Sequence, residues 1–259
     1  MAESSSVQSL DRAFDLLEIL CHSRNGMSIG ALSAETGLHK STVHRLLASM
    51  CARGYVQRDA ATSVYHAGMR LCELSGYIVE NMDVIERARA PMERLGQETG
   101  ETVHLVMQEE KDIVYIHKVE GVSGAIRMVS RIGMRRPLYC TGVGKAILAT
   151  WPDDEVRALW QASSVQAYTS HTIVTEEAFF REINRVRRLG YSLDNEENEL
   201  GVRCIAAAIP DYRGRASYAL SVSAPLTRMP DERIALLRGP VLAARDEIAA
   251  ALGGGMRRI

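Results

Sequence analysis

The sequence predicts an α+β protein of two domains, and three observations carry that reading. The chain has 259 residues, more than the ~100–200 of a typical single domain. Apolar residues recur at helical spacing up to Gly54, where two short β-prone runs follow at once. Beyond Gly100 the pattern changes to strand-like runs separated by amphipathic helices. The balance of 31 Lys+Arg against 32 Asp+Glu, with 46% hydrophobic residues, excludes a disordered chain and a wholly basic, histone-like binder.

The first element is a helix that Ser9 can cap, with Leu10, Ala13, Phe14, Leu16, Leu17 and Leu20 on its apolar positions through about Cys21. After the Ser23-Arg24-Asn25-Gly26 turn, Ser28 is the candidate cap of a short helix, Ile29 to Thr36, stopped by Gly37. A third helix runs from His39 or Lys40 to about Arg53, with Val43, Leu46, Leu47 and Met50 apolar and Gly54 as its stop. The runs Tyr55–Arg58 and Ser63–His66, joined by Asp59-Ala60-Ala61-Thr62, read as a small hairpin. Met69 to Met82 is helical, and a further helix from Val84 to Gln97 is interrupted early by Pro91. The domain junction falls there, which sets boundaries of 1–68, a linker helix over 69–82, and 83–259. In the second domain Thr102–Met107, Ile113–Val119, Ala125–Val129, Arg203–Ile209 and Ala216–Val222 are strand-like. Helices are expected near Gly144–Thr150, Asp153–Gln161, Glu176–Leu189 and Asp231–Ala251.

The longest stretch without a charge, Ala158 to Thr175, is full of Gln, Ser, Thr, Tyr and His. No segment therefore offers the ~20 apolar residues of a bilayer span, and no membrane partner is expected. The opening Met-Ala-Glu-Ser-Ser-Ser has neither a positive region nor an apolar core, so a cytoplasmic location is expected. Five widely spaced cysteines, none in a CxxC pair, suggest reduced thiols rather than disulfides or a zinc site.

Three short helices with a β-hairpin behind them form the pattern of a winged helix-turn-helix. Its third helix must keep one face apolar while the other presents small polar and cationic side chains to a groove ~12 Å wide. The run Lys40-Ser41-Thr42-Val43-His44-Arg45 does this. Ser28 to Arg70 carries five Lys/Arg against two acids, an excess suited to phosphate. On double-stranded DNA, Ser41, Thr42 and His44 would lie near bases, with Lys40, Arg45 and the wing residue Arg58 on phosphates.

Val7-Gln8-Ser9-Leu10-Asp11-Arg12-Ala13, the segment Leu32 to Arg45, and Gly54-Tyr55-Val56 resemble the DNA-binding domain of IclR-type bacterial transcriptional regulators. The second half is similar to that family's effector domain through Gly142-Val143-Gly144-Lys145-Ala146, the run Gly190 to Asn198, Gly201 to Ala206, and Ala219-Leu220-Ser221-Val222-Ser223. Asp112 to Lys118, Ser130-Arg131-Ile132-Gly133 and Pro137-Leu138-Tyr139 look most like the subgroup of repressors that sense 2-keto-3-deoxygluconate in pectin and uronate catabolism. The resemblance implies a GAF-like effector domain, an antiparallel sheet flanked by helices, joined through a linker helix to DNA-binding domains acting in pairs as a homodimer or tetramer. It implies operator DNA and a small carboxylic acid as partners, and Met128, Gly142, Val143, Asp194, Cys204, Ser221 and Ser223 as the pocket.

The chemistry of these residues is compatible with that role. A loop entering a helix at Gly142 can point free N–H groups at an anion. Ser221 and Ser223, two apart on a strand, share a face and add hydroxyl donors. Asp194 would accept a hydrogen bond from a ligand hydroxyl, which fits a sugar acid.

Other chemistries are disfavoured. A P-loop needs glycine where Tyr139 stands and Ser or Thr where Ala146 stands, and a dinucleotide fingerprint needs glycine where Ile147 stands. His104 and His117 lie on adjacent expected strands near Cys204 but lack HxxxH or HExxH spacing, so neither metal nor cofactor is expected. The run Asp194 to Glu199 lacks EF-hand spacing and reads as a solvated acidic turn, with Asp194 as the exception. The alternative from another class is an enzyme acting on keto-acids through Cys204 or a histidine, with the first domain as a protein-interaction module.

Overall fold

In a computed structural model, residues 7–74, 83–121 and 130–254 are described. The chain divides into two compact units, Met1–Met82 and Asp83–Ile259.

The first unit contains α1 (Gln8–His22), α2 (Ile29–Thr36), α3 (Lys40–Ala52) and a two-stranded antiparallel hairpin of β1 (Val56–Arg58) and β2 (Tyr65–Ala67). Its core joins Leu16 and Leu20 of α1, Leu32 of α2, Val43, Leu47 and Met50 of α3, and Val56 and Tyr65 of the hairpin. Ser28 caps α2 by accepting the Ala31 N–H at 3.2 Å. Gly37 then ends that helix in the left-handed region (φ 68°), where a side chain is costly. Ser9 does not cap α1: the cap position is Val7, whose side chain makes no capping bond, and Ser9 lies inside the first turn. Residues 70–74 are helical, and the remainder of the linker helix expected over 69–82 lies outside the described residues.

The second unit is built on one antiparallel sheet of six strands in the order β5-β4-β3-β8-β7-β6. The strands are β3 (Thr102–Glu109), β4 (Asp112–Val119), β5 (Arg135–Pro137), β6 (Ser192–Asn195), β7 (Val202–Pro210) and β8 (Ala216–Pro225). Helices α4 (Val84–Thr99) and α8 (Asp231–Ala251) cover one face through Met92, Leu95, Leu237, Val241 and Ile248, packed on Val103, Leu105, Ile205, Leu220 and Val222. The other face carries α5 (Gly142–Leu148), α6 (Asp153–Ala162) and α7 (Glu176–Leu189), whose Val143, Ile147, Trp160, Phe179 and Ile183 cover Val106, Ala206 and Ala219. The period-2 alternation of the central strands β7 and β8 thus sends successive residues into two separate cores.

Two expectations are corrected. Pro91 does not interrupt its helix, because α4 runs through it and buries it in the α4 face. Strands β5 and β6 were not expected; both are short, and β6 contains Asp194 and Asn195, residue types depleted in strands. The expected strand Ala125–Val129 lies outside the described residues.

Candidate functional site

Helix α3 separates its residues as the periodicity requires. Val43, Leu47 and Met50 are buried, whereas Lys40, Ser41, His44 and Arg45 are exposed and Thr42 is half-buried. His39 takes the cap position in place of the usual small polar residue, its Nδ1 lying 2.9 Å from Ser41 Oγ and 3.4 Å from the Ser41 N–H. Arg58 is exposed on β1, donates to Ser63 Oγ at 2.9 Å, and holds its guanidinium carbon 5.9 Å from the Tyr65 ring centre. The hairpin tip is tightened by Asp59, whose carboxylate accepts the N–H groups of Ala61 and Thr62.

In the second unit the register of the sheet assembles a cavity. Asp194 on β6 pairs with Cys204 on β7, Cys204 with Ser223 on β8, and Ser221 with His104 on β3. Together with Thr141, Gly142 and Val143 at the start of α5, these residues line one buried pocket. Of the residues expected there, Gly142, Val143, Asp194, Cys204, Ser221 and Ser223 are thereby brought together, and Met128 lies outside the described residues. Sequence reasoning missed His104 as a wall of this cavity, along with Tyr115, Ser130, Arg136 and Asn198.

The Gly-Val-Gly run has a packing cause. A Cβ on Gly142 would stand 3.1 Å from the Asp194 nitrogen, and one on Gly144 would stand 2.1 Å from the Leu138 carbonyl oxygen. Glycine at 144 is what lets α5 press this closely against the segment before it, and at 142 a side chain would crowd β6. Thr141 caps the helix by accepting the Gly144 N–H at 3.1 Å. As the first residues of α5, Gly142 and Val143 carry N–H groups with no partner within the helix, and both residues line the cavity.

Asp194 is 4% exposed, and its Oδ1 accepts the N–H groups of Glu197 at 2.8 Å and Asn198 at 3.4 Å. Burial first, and then the Glu197 carboxylate, push its pKa up to about 7, against the opposing pull of Lys145. The run Asp194 to Glu199 is therefore not simply a solvated turn: Glu197 is buried and ion-paired with Lys145 of α5, whose side chain is fully enclosed. Lys145 also lies 3.5 Å from Glu182 of α7, which Arg185 grips through two hydrogen bonds at 2.7 and 2.9 Å. Burial pushes the Cys204 thiol far above its ordinary range, so it stays protonated and is no thiolate nucleophile at neutral pH.

His104 is 1% exposed and stands edge-on to Tyr115, with ring centres 5.0 Å apart. Its Nε2 lies 2.7 Å from Ser130 Oγ and its Nδ1 3.3 Å from Ser223 Oγ, which in turn is 3.4 Å from Ser221 Oγ. Burial, helped by the nearby Lys118 ammonium, drives its pKa down to about 3, so the ring is neutral. His117 does not join it: on β4 it pairs with Leu105 and is not part of the cavity wall. Among the described residues no group of three His, Cys, Asp or Glu is placed to hold a metal ion, and no helix is long and apolar enough to cross a membrane.

Both halves of the chain match models of one family: the IclR helix-turn-helix domain over residues 9–60, and the bacterial transcriptional regulator IclR C-terminal domain over residues 76–250. The chain belongs to the IclR family of bacterial transcriptional regulators. It is 37% identical over 251 residues to the HTH-type transcriptional regulator KdgR of Escherichia coli, covering 97% of this chain and 95% of that protein. It is 34% identical over 247 residues to the regulator XynR of the same organism, covering 95% and 98% respectively. Among solved structures it resembles the Thermotoga maritima IclR at a TM-score of 0.64 and 29% identity, over 95% of this chain and 99% of that one. This IclR-family protein is a DNA-binding transcriptional regulator, and its relatives are regulators rather than enzymes. Similarity to XynR stands beside that to KdgR, so family membership alone does not select one effector.

Proposed function

We propose that this regulator is a repressor whose grip on operator DNA is released or reset by a small hydroxylated carboxylic acid bound in the cavity of the second unit. Residues 1–68 are the DNA-binding domain, 69–82 the linker helix, and 83–259 a GAF-like effector-binding and oligomerisation domain acting in a homodimer or tetramer. On the DNA side Ser41, Thr42 and His44 read bases, while Lys40, Arg45 and Arg58 hold phosphates. Clustering on one exposed helix and its wing supports these assignments.

The observation that carries the effector reading is the mixed polarity of the cavity. Hydroxyls of Ser221 and Ser223 and the free N–H groups of Gly142 and Val143 suit a carboxylate, while Asp194 suits a hydroxyl. Asp194 and Ser223 are two strands apart, about 10 Å at ordinary strand spacing, which a sugar acid spans and pyruvate does not. 2-Keto-3-deoxygluconate and related sugar acids are therefore the favoured effectors. A ligand acts by binding the two arrangements of the DNA-binding domains unequally.

Thermal unfolding in the presence of a panel of sugar, keto and aromatic acids tests this. A true effector at ~100 times its Kd adds about 2.7 kcal/mol of stability. Replacing Ser221 and Ser223 together by Ala should abolish that gain and the effector response of operator binding, while leaving effector-free DNA binding intact. A response that survives the double substitution would place the pocket elsewhere.

A further inference from the structure

We infer that His104 is a positioning residue that sets the direction of hydrogen bonding in the effector cavity, donating from Nδ1–H to Ser223 so that the Ser223 hydroxyl donates to the effector carboxylate. The inference deepens the reading of the cavity as a carboxylate site and rests on it. A neutral imidazole has one donor and one acceptor nitrogen, and both nitrogens of His104 face a serine hydroxyl. The ring is enclosed, so it cannot answer by becoming an imidazolium, and its low pKa agrees with that.

The two tautomers give opposite cavities. With the proton on Nε2, Nδ1 is a bare lone pair and takes the single proton of Ser223, which leaves only oxygen lone pairs to face an anion. With the proton on Nδ1, Ser223 Oγ accepts from the ring and its own proton is free for the ligand. Nε2 then accepts from the Ser130 hydroxyl. Only this second arrangement leaves a hydroxyl donor facing an anion, and the contacts of 2.7 Å at Nε2 and 3.3 Å at Nδ1 accommodate it. The chain Ser130, His104, Ser223 thus runs with one polarity to the cavity floor, and the long 3.4 Å contact between Ser223 and Ser221 leaves the Ser223 proton to the ligand.

The test begins with the full-length protein free of effector, labelled with ¹⁵N-histidine. The chain has seven histidines, and the His104 signals are assigned by their loss in His104→Asn. The expected spectrum shows Nδ1 protonated and Nε2 bare in a single tautomer. A protonated Nε2, or a rapidly exchanging mixture, would overturn the inference. Binding then supplies a second readout, with 2-keto-3-deoxygluconate as the probe. The Asn amide can place an N–H where Nδ1 stood, while the Gln amide reaches only the Nε2 end. His104→Asn should hold the Kd within about threefold, and His104→Gln should weaken it by about tenfold, one lost hydrogen bond. Equal weakening in both variants would count against the positioning role, and both are checked for native thermal unfolding. If neither this acid nor pyruvate binds the wild type, the carboxylate reading fails, and the effector-free spectrum still decides the tautomer.

Discussion

Five of the six side chains proposed to meet DNA come from one segment, Lys40 to Arg45, and all but Thr42 are exposed. The proposed effector cavity draws on His104, Thr141 to Val143, Asp194, Cys204, Ser221 and Ser223, supplied by five elements and all buried but the half-buried Cys204. A charge on α3 is solvated and screened, so losing it removes one interaction and disturbs little else. A charge behind the cavity is held only by its partners, so losing it leaves something buried and uncompensated. The two sites should therefore respond to substitution in opposite ways, one in affinity and the other in stability.

The sharpest contrast is expected at Lys145. Lys145→Met keeps the volume but strands Glu197 without its cation, while Glu182 keeps Arg185, and breaking a buried pair from one side costs about 3–5 kcal/mol. For a unit of this size the melting temperature of the second unit should fall on the order of 10 °C. Adding Glu197→Gln to the same chain should recover part of the loss. An unchanged melting temperature would show that the pair contributes no stability.

Asp194 extends the contrast to pH. Its folded-state pKa, about 7, stands above the ordinary 3.8, so between these values the folded protein holds a proton that the unfolded chain has released. Stability must then fall as pH rises from about 4 to about 7, by up to about 1.4 kcal/mol per unit, and level off above. Glu197, also shifted upward by burial, adds a slope of the same sign. Asp194→Asn should flatten the profile and raise stability at neutral pH, while weakening the effector through its hydroxyl. Denaturant unfolding from pH 4 to 8 measures this, and a slope unchanged by the substitution would refute it.

On α3 the same logic predicts little change in folding. Arg45→Ala should leave the melting temperature in place, weaken operator and non-operator DNA alike by about tenfold, and reduce the salt slope by ~0.9 for one phosphate contact. Loss confined to the operator would move Arg45 from phosphates to bases.

The difference between the sites also explains what could be read from the amino-acid sequence. The exposed face of α3 follows from 13 consecutive residues whose apolar positions fall at helical spacing, so local pattern suffices. The serines of β8 were legible because period 2 puts Ser221 and Ser223 on one face. His104 was not, because its meeting with Ser223 depends on the pairing of β3 with β8, 119 residues apart. Glu197 reads as part of a solvated acidic turn, and its burial against Lys145, 52 residues away, depends on the close approach of α5 to β6. Strand β6 was missed for a local reason: its four residues, Ser-Leu-Asp-Asn, show no strand preference and are ordered by β7.

The smallest effect separates the regions with one piece of chemistry used twice. Ser28 caps α2 in the DNA-binding unit and Thr141 caps α5 at the cavity, each through a side-chain oxygen on a backbone N–H three residues ahead. Replacing either by Ala should cost ~1 kcal/mol in its own unit. Ser28→Ala acts at an exposed cap, so its cost stays local and effector affinity is unchanged. Thr141 is also part of the cavity wall and donates to the Pro137 carbonyl at 3.1 Å. Thr141→Ala frees the start of α5, whose Gly142 and Val143 N–H groups are proposed to meet the carboxylate, and should weaken the effector several-fold by lost preorganisation. Calorimetric titration of both variants with the effector distinguishes the two. Equal affinities would mean that the helix start holds its geometry through the Gly142 and Gly144 packing alone, and that the anion is held by the serines.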